Sequence, residues 1–466
     1  MDARIAVLTG ARQAAKVLAL LHVIQHVLQR VQANVQKLAR DHVLDLAAQL
    51  VKTPVVQLAR SSKVLANYYG KMNEKDAWAD ITFIVTKDCQ LACRYCYLVG
   101  KNSNERMSFE VAKQAIDFIL SDKRMQQYGG VVWDFIGGEP FLEIELIDLI
   151  CDYLKKEMFK KNHHWFNNYR FSFTTNGINY HDEKVQNFIN KNLSHLSIGI
   201  TIDGDAAKHD LNRIYKHGGR GSYHDVVRNI PLWLEQFPDE GTKVTISSDD
   251  IPYICQSVMH LYALGIHKIH INTVFENVWK DGDDDIFLQQ LLKLADTIID
   301  NDFYAKCTCS LFSEDIGKPL DPLRDNQNWC GAGMMLSVDA TGNFYPCTRF
   351  AGYSLRSKKP IIIGNVRDGI NKNKLRPFLT LDRTTQSPRE CIDCEVASGC
   401  AWCQGENYDA ADTNTIYQRS TAICKMHQAR VRANNYYWNK LYRKLELEGK
   451  REDFEKYKRE MKPEIC

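Results

Sequence analysis

The chain has 466 residues, 44% of them hydrophobic and 25% charged, and a formal net charge of +3. That length suggests about three globular domains, and so small a charge gives no electrostatic case for a nucleic-acid or membrane partner. No apolar run approaches the ~20 residues of a membrane span, and the N-terminus lacks the charged, apolar, small-residue order of a secretory signal. The expected location is the cytoplasm, where disulfides are rare, so the 15 cysteines read first as metal ligands.

Residues 1–70 contain no Glu and set nine Lys/Arg against three Asp. Ala14, Val17, Leu21, Ile24, Leu28, Val31, Val35 and Leu38 recur at steps of three and four, the stripe of an amphipathic helix. A second helical stretch, Val43 to Val51, stops near Thr53-Pro54, because the residue before a proline avoids the helical region. Residues 1–76 therefore read as a helical segment, a packing or dimerisation arm, with a peptide-docking module as the alternative.

Residues 77–306 change to strands alternating with helices. ITFIVT from Ile81, VVWDFI from Val131, FSFTT from Phe171, LSIGITI from Leu196, KVTIS from Lys243 and IHKIHINTVF from Ile266 read as strands. Helix-period stretches separate them, such as FEVAKQAIDFIL after Ser108 and IELIDLICDYLKKEM after Glu143. Repeated strand–helix–strand units imply right-handed crossovers and a parallel sheet. The predicted fold class is α/β, a partial (β/α)6 barrel. The acidic run DGDDD at 281–285 is expected to be a solvated loop, since it lacks the distal Glu of a calcium loop. Residues 307–427 form a cysteine-rich domain with little regular pattern, and 428–466 a charged C-terminal helix.

The unusual motifs follow strand ends. CQLACRYC comes after the first strand, Gly137-Gly138-Glu139-Pro140 after the second, Thr175-Asn176-Gly177 after the third and Asp203-Gly204 after the fourth. In parallel α/β folds ligands bind at that carboxyl edge. Cys89, Cys93 and Cys96 have the spacing C-x3-C-x2-C, so three thiolates converge from one loop. Closed zinc sites take four ligands, whereas three cysteines bind three irons of a [4Fe–4S] cluster and leave the fourth iron open. A zinc site would need a fourth ligand, for which His163 and His164 are distant candidates.

The run CQLACRYC resembles the signature of radical S-adenosylmethionine (SAM) enzymes. The resemblance implies that the open iron chelates SAM and that reductive cleavage yields a 5′-deoxyadenosyl radical. It further implies that Gly137, Gly138, Glu139 and Pro140 meet the SAM amino group and that Tyr95 lies near adenine. Thr175, Asn176, Thr201 and Asp203 would approach the ribose. Arg213, in HDLNR, would pair with the SAM carboxylate through its guanidinium fork.

A second cysteine field opens at Cys330 and continues through Cys347, Cys391, Cys394, Cys400 and Cys403 to Cys424. Two C-x2-C pairs are compatible with a zinc knuckle, but seven cysteines exceed one such site. Their order, with Gly342 four residues and a step before Cys347, resembles the SPASM extension of radical SAM peptide-modifying enzymes. One departure is that two residues (Ala401, Trp402), rather than three, precede the fourth cysteine of the block. The resemblance implies one auxiliary cluster on Cys391, Cys394, Cys400 and Cys424. The other would sit on Cys330, Cys347 and Cys403, with Cys307 or Cys309 as a candidate fourth ligand, or an iron left open to a substrate thiolate. In total it implies SAM and three [4Fe–4S] clusters as cofactors. Cys151, Cys255 and Cys466 are expected to be inert.

Sulfatase maturases of this family carry an Asp directly after the cysteine of the YPC-like element; here it is Thr348, which counts against formylglycine formation. KDCQLACRYCYLVGKN, WDFIGGEPFLE, SIGITIDG, DNQNWCGAG and CEVASGCAWCQG are most similar to radical SAM maturases of peptides with CXXX repeats. That likeness implies a cysteine-containing precursor peptide as partner, a reductase or a flavodoxin or ferredoxin as electron donor, and Cys thioether crosslinks as products (ranthipeptide or sactipeptide type). Carbon–carbon crosslinking or dehydrogenation is the alternative within enzymes, and a zinc-stabilised peptide-binding scaffold the alternative outside them.

Overall fold

All six apolar runs form strands in the computed structural model, which describes residues 77–449 except 102, 322, 324 and 329. The expected helices before Ala77 and the end of the C-terminal segment lie outside the described residues. The strands are β1 Trp78–Thr86, β2 Gly130–Gly137, β3 Tyr169–Thr175, β4 Leu196–Ile200, β5 Thr242–Ile246 and β6 Lys268–Thr273. β1 to β4 pair in parallel in sequence order. A single parallel bridge, Thr201 with Lys243, leads on to β5. β5, β6 and a two-residue β7, Thr308–Cys309, are again parallel. This is the open, partial barrel of an α/β fold.

Alternation sorts each strand into two faces. One is aromatic: Phe83 stacks on Phe135, which stacks on Phe173, with centroids 5.6 and 5.2 Å apart. Trp133, fully buried, meets Trp165 edge-on. Helices cover this face. Phe109–Ser121 starts where Ser108 accepts a hydrogen bond from the Val111 amide, and Ile144–Lys160 buries Ile147, Ile150, Cys151 and Leu154. The opposite face is polar. Lys243 on β5 donates to Thr174 on β3 at 3.1 Å across the intervening strand. Strands that are not neighbours touch this way only where the sheet curves inward, so the polar face is the concave one.

The cysteine-rich region adds strands to the same sheet. β8 Leu336–Val338 runs parallel to β1 on its free side, and β9 Asn343–Tyr345, β10 Gly364–Asn365 and β11 Gly369–Ile370 follow antiparallel. A helix over Cys424–Leu447 packs against the helix Asp283–Asp300, tied by Lys440 to Asp296 at 2.7 Å and to Asp300 at 2.9 Å. Here one expectation is corrected. The run at 281–285 is not a loop throughout: Asp283, Asp284 and Asp285 form the first turn of that helix. Acidic side chains belong there because they face the unpaired amides and positive dipole end; Asp283 also accepts from the Lys280 amide at 2.7 Å. Among the described residues no helix is long and apolar enough to cross a membrane.

The aromatic face should dominate stability. Trp133→Ala is expected to cost about 3–5 kcal/mol. Trp133→Phe should cost far less, because the buried indole N–H has no partner to lose. Anaerobic chemical denaturation compares the two; equal losses would mean that ring volume is not what matters.

Candidate active site

The three-cysteine loop is held by backbone before any ligand is considered. The Ala92 amide donates to Ile214 O at 2.8 Å, Arg94 N to Asn212 O at 3.1 Å, and Lys216 N to Gln90 O at 2.9 Å. An ion pair from Lys216 to Asp88 at 2.6 Å fastens the edge. This zipper delivers Arg213 to the loop. On the other side Gly137 and Gly138 lie against Thr86 and Asp88 so closely that a Cβ on either would overlap backbone. Gly138 N bonds Thr86 O at 3.0 Å and Glu139 N bonds Asp88 O at 2.8 Å.

Glu139 is buried and caps the short turn opened by Pro140. Its carboxylate accepts from the Phe141 amide at 3.1 Å, the Thr175 hydroxyl at 2.6 Å and the Asn176 amide at 2.7 Å. Asn176 in turn reaches Cys89 Sγ at 3.9 Å and Gln90 at 3.0 Å. Thr201 continues β4, its amide bonded to Thr175 O at 2.9 Å. Asp203 is fully buried, accepting from the Thr245 amide at 3.0 Å and from the Tyr95 hydroxyl. Arg213 donates to that same hydroxyl at 3.0 Å. The predicted residues of the strand edge thus converge on one place. Tyr95 is bound by its hydroxyl to Asp203 and Arg213, a role the sequence does not reveal.

Electrostatics follow from burial and one strong cation. Burial pushes the Cys89 thiol up to about 12, and the Glu139 carboxylate adds to the shift. Burial raises Cys93 too, opposed by the charges of Arg213 and Lys101. Burial works against the Asp203 charge, yet Lys208, Arg213 and His209 hold its carboxyl below the ordinary range. On the concave face Asp134 is pushed up to about 7, by burial and then by the charge of Asp80.

The thiols of the second cysteine field fall into two groups by which of them bear on one another's ionisation. Cys347 feels Cys330 and Cys403, and Cys403 feels Cys330. Cys400 feels Cys424, Cys391 and Cys394, and Cys391 feels Cys424 and Cys394. Cys424 opens the long C-terminal helix and is exposed. Cys307 and Cys309 join neither: Cys307 Sγ lies 3.5 Å from His267 Nδ1, and Cys309 is near Arg430 and Tyr262.

Three features escape sequence reasoning. Arg419 donates to Cys400 Sγ at 3.2 Å. Arg349 stacks 4.2 Å over the ring of Tyr97 and pairs with Glu276 at 2.6 Å. The Thr348 hydroxyl lies near the Tyr97 phenol and favours its ionised form. No spacing rule links these positions; only the residue identities next to Cys96 and Cys347 hint at them.

Both cofactor types fit the residues present. The Nε of Arg213 is buried without a hydrogen-bond partner, an unusual cost that an anionic ligand would relieve. Among the described residues no three His, Cys, Asp or Glu side chains stand as a single-ion site. Cubane cysteines each bind a different iron and stand farther apart. The zinc alternative also loses its distant ligands. His163 accepts from the Trp165 amide and His164 meets Tyr128 O. Cys151 and Cys255 are buried inside helices.

Gly138→Ala should push the Asp88 carbonyl away and loosen the loop it supports. Hydrogen exchange over residues 88–97 is expected to accelerate while the helix Ile144–Lys160 stays protected. Unchanged exchange in the loop would show that the close approach does not hold it.

Residues 83–248 match the radical SAM superfamily. An uncharacterised protein of Methanocaldococcus jannaschii is 28% identical over 305 residues, 65% of this chain and 92% of its own length. A serine-type anaerobic sulfatase-maturating enzyme of Bacteroides thetaiotaomicron is 23% identical over 345 residues, 67% of this chain and 78% of that one. The solved structure of native anSMEcpe with bound AdoMet superimposes with a TM-score of 0.57, covering 78% of this chain and 99% of its own, at 17% identity; that likeness speaks for the fold. Residues 83–248 thus carry a radical SAM domain, and the chain as a whole is similar to a sulfatase-maturating enzyme.

Proposed function

We propose that this enzyme modifies a ribosomally made, cysteine-containing peptide by forming Cys thioether crosslinks. The observation that carries the reading is the presence of two three-cysteine sets joined by a short side-chain bridge. One is Cys89, Cys93 and Cys96; the other is Cys330, Cys347 and Cys403; Tyr97, Thr348 and Arg349 lie between them. Engagement of Cys307 and Cys309 elsewhere supports an open position in the second set. The motifs shared with maturases of CXXX-repeat peptides, and Thr348 in place of an Asp, favour this outcome over formylglycine.

Bound SAM and the cluster on Cys89, Cys93 and Cys96 supply the 5′-deoxyadenosyl radical. The chain's own residues hold and orient. Arg213, steadied by Tyr95 and Asp203, offers its unpartnered Nε to the SAM carboxylate. Glu139 spends three acceptor sites inside the protein, and the roughly four lone-pair sites of a carboxylate leave one for the SAM amino group. Thr175, Asn176 and Thr201 are placed to approach the ribose. Cys391, Cys394, Cys400 and Cys424 would hold a fully ligated auxiliary cluster. Cys330, Cys347 and Cys403 would hold the one that receives the substrate sulfur, where metal coordination favours the thiolate.

Replacing Cys89, Cys93 and Cys96 together by Ala is expected to abolish SAM cleavage and leave the other clusters bound. Iron content and 5′-deoxyadenosine formation under dithionite check this; cleavage at the normal rate would sink the assignment. Reconstituted protein should carry about twelve irons, four per cubane, whereas a few bound zincs would mean a scaffold.

The reaction itself should give a peptide lighter by two hydrogens per crosslink, with loss of one alkylatable thiol. The preferred carbon partner is an acidic residue three positions after the Cys. Deuterating that carbon is expected to move deuterium into 5′-deoxyadenosine. If mass falls by two while every cysteine still reacts with iodoacetamide, a carbon–carbon crosslink or a dehydrogenation replaces the thioether.

A further inference from the structure

Arg349 stands at the junction of the two sites. It follows Cys347 by two residues, and its Cβ fills the space that a side chain at residue 405 would need, two residues after Cys403. Its guanidinium lies 4.2 Å over Tyr97, the residue after Cys96, and 5.8 Å from Phe275. The side chain is only 17% exposed. Its close carboxylate is Glu276 at 2.6 Å. Glu406, at 3.9 Å, is engaged more closely by Arg356 at 2.6 Å. Burial raises the thiols of Cys330, Cys347 and Cys403, and at each the Arg349 charge works the other way. A buried, permanently charged group is thus built in beside Cys347 and, through the close approach of Gly405, beside Cys403, fixed by an aromatic ring on one side and a carboxylate on the other.

We propose that Arg349 is a positioning residue that raises the reduction potential of the auxiliary centre on Cys330, Cys347 and Cys403, with Glu276 as the counter-charge that limits the effect. This rests on the reading that those cysteines hold a cluster. Reduction adds a negative charge, and a fixed cation nearby in a medium of low dielectric favours it; net charge and surroundings are the levers that set iron–sulfur potentials. Sulfur–carbon bond formation releases one electron once the substrate carbon has lost a hydrogen atom to the adenosyl radical and the thiol has lost its proton. The Arg349 charge makes that electron easier to accept beside the substrate sulfur. Glu276, the partially compensating group, lowers the potential again, so that the electron can leave the centre after it has been accepted.

The test is a redox titration, followed by electron paramagnetic resonance, of full-length reconstituted protein without substrate. Cys347→Ala first identifies the signal of this centre by its loss. Arg349→Gln is expected to lower the midpoint of that signal by at least tenfold in the reduction equilibrium, which is 59 mV for one electron. Glu276→Gln should move it upward, Arg349→Lys should stay near wild type, and SAM cleavage with dithionite should be retained in all three. Opposite shifts from the two charge removals are something a merely structural role would not produce. Arg349→Lys and Glu276→Gln keep the question answerable if Arg349→Gln does not fold. Shifts of the same sign, or none in variants that keep the signal, overturn the inference alone; if Cys347→Ala removes no signal, the cluster assignment falls and the inference with it.

Discussion

A single buried carboxylate organises the strand edge. Glu139 leaves β2 where Gly138 has already brought its backbone against Asp88, and it then takes hydrogen bonds from the far side of β3. A charge removed from water needs several good donors to be tolerated, so its geometry leaves little freedom. Because the Asn176 amide is one of those donors, the Asn176 side chain is aimed at Cys89 and Gln90. The carboxylate locks the ends of β2 and β3 together, the Glu139 amide ties on the segment after β1, and Asn176 carries the link to the cysteine loop.

The second regularity is a pairing of buried thiols with buried or half-buried arginine. Arg213 opposes the burial of Cys93, Arg349 that of Cys330, Cys347 and Cys403, and Arg419 that of Cys391 and Cys400. Thiolate is the form that binds metal, and burial alone disfavours it. Each of these groups of cysteines therefore has a cation beside it, which offsets part of that cost. Arginine suits this better than lysine because it keeps its charge when buried.

Periodicity made the core legible: six strands, two of the helices quoted and the convergence of four motifs on one edge were readable because each depends on residues close in sequence. The division of the second cysteine field into three and four comes from resemblance rather than spacing. What was not legible depends on distant contacts. Nothing in the alternation of MLSVDA says that Leu336–Val338 will extend the core sheet beside β1. The run at 281–285 was misread because loop composition and the acidic first turn of a helix look alike until the apolar period after it is weighed. Arg349 and Glu276 lie 73 residues apart, and no local pattern pairs them.

The residue after Cys347 bears on which chemistry suits this site. A carboxylate there can accept a proton from a substrate hydroxyl or thiol. Thr348 offers only a hydroxyl, which lies close enough to the Tyr97 phenol to favour its ionised form. The Tyr97 phenol is itself pushed up to about 12, by burial first and with Arg349 opposing, so it is a poor base at neutral pH. The nearest carboxylate across this bridge, Glu276, is held by Arg349. On the concave face Asp134, pushed up to about 7 by burial and by Asp80, is the group whose proton is easily exchanged. Among the described residues no ready base thus stands next to Cys347. Under the reading proposed here the substrate thiol must lose the proton by coordination, and coordination at an open position beside Cys330, Cys347 and Cys403 is what a sulfur-to-carbon bond requires and an aldehyde product does not.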